Sequence, residues 1–240
     1  MPAELRAAPS LHAAIEHAAV SVKAIAAGRS AEPVQVLLPG VESILQWQRR
    51  LGGHAGVRAQ QFYGLASAIL DRAAVPVGRL NGDGAAALTR HLLTRMSDDG
   101  ELTTFAPVAG MPGFARELLE WVREMRTQEI AADQLEAEAA RTGRARDAQL
   151  ARLYRRYRAF LDEHRLQDAD GLLALAADAL SDDPRLLSST PLLLVLGFDH
   201  FSPVQRRLLE AAAGSIERVV IYLTWDERRP ADSRALSRLA

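Results

Sequence analysis

Leu192-Leu193-Leu194-Val195-Leu196-Gly197-Phe198-Asp199-His200-Phe201-Ser202-Pro203-Val204-Gln205 decides the fold class. Its first five residues are apolar without alternation, the pattern of a strand buried on both faces of a parallel sheet. Ser202 then reads as a helix N-cap, with Pro203 at the first helical position and Gln205 completing a capping box. Leu208, Leu209 and Ala212 continue that helix, Gly214 ends it, and Val219 to Leu223 form a further apolar strand. Strand, helix and strand at this spacing form one crossover unit.

The same alternation recurs near the start. Val34-Gln35-Val36-Leu37-Leu38 is a short apolar run closed by Pro39-Gly40. A helix carrying Ile44, Leu45, Trp47 and Leu51 follows, then a short strand over Val57 to Gln60 and a helix over residues 62–73. Ahead of them, Leu11, Ile15, Ala18, Val22 and Ile25 mark a helix over 11–27, with Gly28 as its C-cap. The centre differs. From Asp83 to Leu180 the periodicity is helical throughout, with no strand read. Helices fall around Leu88 to Met96, from Pro112 through Met125, over 147–164, and from Ala169 to Leu180. Asp98 to Met111 reads as a loop, and Thr142-Gly143 as a break. The expectation is one α/β domain from residues 1–80 and 186–240, interrupted by an all-helical insertion over 81–185. Right-handed crossovers place its strands in one parallel sheet with helices on both faces. The charged, arginine-rich stretch Trp225 to Ala240 has no closing element, as expected of a piece of a longer protein.

Composition narrows the chemistry. The 240 residues are 48% hydrophobic and 25% charged, with a net charge of −1, which suits a globular chain and gives no overall attraction to nucleic acid. The absence of cysteine removes disulfides, thiolate metal sites and cysteine nucleophiles. The six histidines show no metal-ligand spacing; His12 and His17 are five apart and fall on different helix faces. No run approaches the roughly 18 apolar residues of a membrane span, and Met1 to Ser10 is not a signal peptide. A cytoplasmic location without membrane contact is expected. Lys23 is the single lysine, so chemistry demanding an ammonium has one candidate.

Four segments resemble, in order, the N-terminal half of a superfamily-1 helicase core, and most closely the AddB-type subunit of ATP-dependent helicase/nucleases. Gln61-Phe62-Tyr63-Gly64-Leu65-Ala66 is similar to the family's "TFHxLA" segment. Leu153-Tyr154-Arg155-Arg156-Tyr157 with Asp168-Ala169-Asp170-Gly171-Leu172-Leu173 is similar to its "Y…DxDDLL" segment. Leu194 to Asp199 resembles the Walker B strand, and Phe201 to Gln205 the "FTPxQ" helix start. The resemblance implies a RecA-like domain with a helical insertion. It also implies a role in double-strand-break processing, beside an active helicase/nuclease partner subunit and in contact with single-stranded DNA or break ends.

The chemistry of that family's motor is not legible here. A phosphate loop needs a glycine-rich turn, a lysine and a Ser/Thr. No G-x-x-x-x-G-K-[ST] occurs. Lys23 lies mid-helix, and the corresponding place, Arg6 to Ala13, has no glycine and puts His12 and Ala13 near the Lys and Ser/Thr positions. The Walker B acids are replaced by Leu196 and Gly197, with Asp199 and His200 lying beyond the strand end as turn residues or as functional ones. The expectation is therefore a chain with no catalytic residue, metal or cofactor, and no activity alone. Binding is left. Eight arginines fall between Arg141 and Arg165. Arg152, Arg155 and Arg156 lie off the apolar face of their helix, either as phosphate contacts or as a solvated surface. The resemblance implies that Gln61, Phe62 and Tyr63 line a single-strand channel where rings stack on bases; the alternative puts Phe62 in the core beneath Tyr63. A RecA-like scaffold that binds only protein is the competing function.

Overall fold

The computed structural model describes residues 3–26, 33–51 and 56–224. Gly28 and Trp225 to Ala240, both read from sequence, lie outside them. Two compact units emerge: Met1–Val75 with Leu173–Ala240, and Pro76–Leu172.

The first unit holds β1 (Glu4–Ala8), α1 (Leu11–Ala26), β2 (Val34–Leu37), α2 (Val41–Leu51), β3 (Val57–Gln60) and α3 (Phe62–Arg72). After the second unit it resumes at Leu173 with the rest of α8 (Ala169–Asp182), then a 3-10 turn at Pro184–Leu187, β6 (Leu193–Phe198), α9 (Pro203–Ser215) and β7 (Val219–Thr224). The five strands form one parallel sheet in the order β1-β7-β6-β2-β3. Alternate residues serve opposite faces. Val34, Val36, Leu194, Leu196, Val220 and Tyr222 pack with Ile15, Val22, Trp47 and Leu51 of α1 and α2. Leu37, Leu193, Val195 and Leu223 are buried on the other side. β2→β3 and β6→β7 run in opposite directions across the sheet, so right-handed crossovers place α2 and α9 on opposite faces.

β1 is absent from the sequence reading. Glu-Leu-Arg-Ala-Ala has no apolar alternation, and only pairing with β7, Leu5 against Ile221, makes it a strand. As an edge strand it tolerates charge. Glu4 is held by Arg218 at 2.7 Å, and Arg6 donates to the Tyr222 hydroxyl at 3.2 Å.

The second unit carries β4 (Gly78–Arg79), α4 (Gly82–Asp98), α5 (Pro112–Thr127), α6 (Ala132–Thr142), α7 (Ala145–Glu163), β5 (Leu166–Gln167) and the first turn of α8 (Ala169–Asp182). Its core gathers Leu92, Met96, Leu118, Val122, Tyr154 and Tyr157. Helices dominate, as expected. The exception is the two-residue parallel ladder β4–β5, too short to leave a periodicity. The sequence reading also lacks α6, because its only buried residue is Ala139 and methyl groups give no apolar stripe.

The expected cap of α9 is in place: Ser202 Oγ accepts from Gln205 N–H at 3.3 Å, and Gln205 Oε1 accepts from Ser202 N–H at 3.1 Å. Ser202→Ala is expected to cost about 1 kcal/mol, read as a shifted urea midpoint with unchanged slope.

Candidate functional site

Ligands of open parallel sheets bind at the carboxyl ends of the strands. Here that rim holds the β1–α1 turn, the end of β6, and the β3–α3 junction.

Only Pro9 and Ser10 separate β1 from α1. A phosphate-wrapping loop needs a longer glycine-rich run whose N–H groups converge on the anion. Ser10 closes the helix start instead: its Oγ accepts from Ala13 N–H at 3.1 Å, and its carbonyl from Ala14 N–H at 3.0 Å. Two strands along, β6 passes through Gly197 with φ +78° and a bulge that sets Phe198 opposite Leu223. A Cβ on Gly197 would lie 2.8 Å from Leu11 Cδ1. The first side chain of α1 thus rests on the β6 terminus, while Leu196 is buried in the core. Asp199 and His200 bond each other at 2.8 Å and are otherwise largely in solvent. Among the described residues no group of three or more His, Asp or Glu could hold a metal.

At the β3–α3 junction the Gln61 side-chain amide donates to the Pro39 carbonyl at 3.0 Å, tying the β2 and β3 ends together. Phe62 is 5% exposed, with its ring edge-on to Phe198 at 5.2 Å and Phe201 at 6.2 Å between centroids. Aromatic neighbours thus enclose the ring, whereas stacking on a base needs an exposed face. Tyr63 remains at the surface, 39% exposed. Gly64 lets α3 pass close over the strand, since a Cβ there would lie 2.8 Å from Gln60 Oε1.

The candidate α7 arginines, Arg152, Arg155 and Arg156, belong to the other unit and are engaged within it. Arg155 pairs with Asp133 and Glu136 of α6, and its hydrogen bond holds the Glu136 carboxyl below the usual carboxylate range. Arg156 reaches Glu101 at 2.6 Å and Asp99 at 3.7 Å; Arg152 reaches Glu101 at 3.3 Å. Residues 76–172 contain 14 arginines and 16 carboxylates, so this unit is not a cationic surface overall.

The Asp168-to-Leu173 motif forms a buried polar knot. Arg126 of α5 bonds both Asp168 oxygens, at 2.9 and 3.0 Å, and the Gln167 side chain at 3.1 Å. Asp168 also accepts from the Tyr157 hydroxyl at 3.3 Å and from Gly171 N–H at 2.8 Å, capping α8. Burial pushes the Tyr157 phenol up, and burial followed by the Asp168 charge pushes the Asp170 carboxyl up.

The family described as "ADDB, N-terminal" matches residues 41–238. The chain belongs to that family. The B-type subunit of the ATP-dependent helicase/deoxyribonuclease of Moorella thermoacetica is 28% identical over 221 residues, which cover 85% of this chain and 19% of that relative. The chain therefore spans about a fifth of the length of this curated relative.

Within this AddB N-terminal chain, sequence reading missed Arg126. A lone arginine among apolar helix positions carries no motif; its meaning comes from Asp168, 42 residues away. Leu11 reads from sequence only as a helix residue, since nothing in its neighbours places it over Gly197. No helix among the described residues is long and apolar enough to cross a membrane.

Proposed function

We propose that this AddB N-terminal chain is a helicase-like module that does not hydrolyse ATP. On this reading it contributes scaffolding and DNA contact to a helicase–nuclease complex that processes double-strand breaks alongside an active partner. The observation that carries the reading is the two-residue β1–α1 turn, closed by Ser10 and covered by Leu11. A phosphate group finds no ring of free amides there, no lysine, and no acid at Leu196 or Gly197 to hold magnesium. Residues 1–80 and 186–240 serve as the RecA-like halves, and 81–185 as the helical insertion. The DNA contact falls to Gln61 and the exposed ring of Tyr63 at the strand ends, in place of Phe62.

A second reading, a scaffold that binds only protein, draws on the ion pairs of Arg152, Arg155 and Arg156. Phosphate contact would have to displace carboxylates already in place.

The test combines two assays on purified protein. No ATP turnover is expected with or without single-stranded DNA; turnover inhibited by removing magnesium would sink the motor-less reading. In DNA titrations at rising salt, binding that weakens with salt and falls about tenfold with Tyr63→Ala, in line with the ~1–3 kcal/mol of one base–aromatic stack, supports DNA contact. Arg155→Ala with Arg156→Ala is expected to change affinity much less. No DNA binding at low salt, alongside capture of the partner helicase/nuclease, decides for the protein-only scaffold.

A further inference from the structure

We draw no further inference here: the strongest candidate, the exposed apolar patch of Val41, Leu45 and Tyr63 on the first turns of α2 and α3 at the sheet rim, belongs to the site already described, and nothing in the structure shows what covers it.

Discussion

Arg126→Ala is expected to destabilise the helical unit by about 3–5 kcal/mol, the cost of leaving one partner of a buried ion pair alone. Arg126 is 9% and Asp168 8% exposed, so water cannot replace the lost guanidinium. Asp168 keeps the Tyr157 hydroxyl and Gly171 N–H, two hydrogen bonds against a full charge. Domains are stable by only about 5–15 kcal/mol in total, so the variant is expected to lose much of its cooperative helical unfolding transition. Urea denaturation followed by circular dichroism reads this directly. The double replacement Arg126→Met with Asp168→Leu removes both charges and is expected to recover a large part of the loss. If the double variant is as unstable as the single one, packing geometry around Gly171 matters more than charge. A Cβ at Gly171 would lie 2.1 Å from both Arg126 Nη2 and Gln167 Oε1, so the guanidinium packs directly over the Gly171 backbone, and a methionine would leave part of that space open.

Phe62→Ala is the second large effect, about 3–5 kcal/mol for a buried ring whose site cannot collapse. The ring touches Phe198 beyond the β6 bulge and Phe201 before α9, so its loss loosens three segments of one rim. Its signature separates structure from recognition. Stability should fall sharply, and any change in DNA affinity should disappear when measured well below the unfolding transition. Tyr63→Ala is expected to show the reverse, with little change in stability and altered DNA binding. A Phe62→Ala protein as stable as the parent would mean that the cluster is not packed as described.

The contrast between these two neighbours shows what a sequence can carry. Leu192 to Gln205 announced a buried strand and a capped helix because those signals are local: an unbroken apolar run, and a Ser-Pro-x-Gln start. The sheet centre was legible for the same reason. β1 was not, since Glu4 and Arg6 become strand residues only through partners more than two hundred positions away. Within the candidate site, the missing phosphate loop could be read as an absence of residue types. What occupies its place, Leu11 against Gly197, required three dimensions. The arginine-rich α7 could be read as cationic, yet the carboxylates that answer it stand on α6 and in the loop after α4, and spacing along α7 says nothing about them.

The pairing of β1 with β7 also dictates an order of events. Leu5 meets Ile221, so the sheet cannot close until nearly all of these residues have left the ribosome. The helical unit is one continuous stretch, Pro76–Leu172, with short-range contacts that form quickly. During synthesis it is expected to fold first, while β1, β2 and β3 wait with exposed apolar surface for β6 and β7. That interval is when the nascent chain is most open to aggregation and to chaperone capture. Slowing translation before residue 192 would lengthen it.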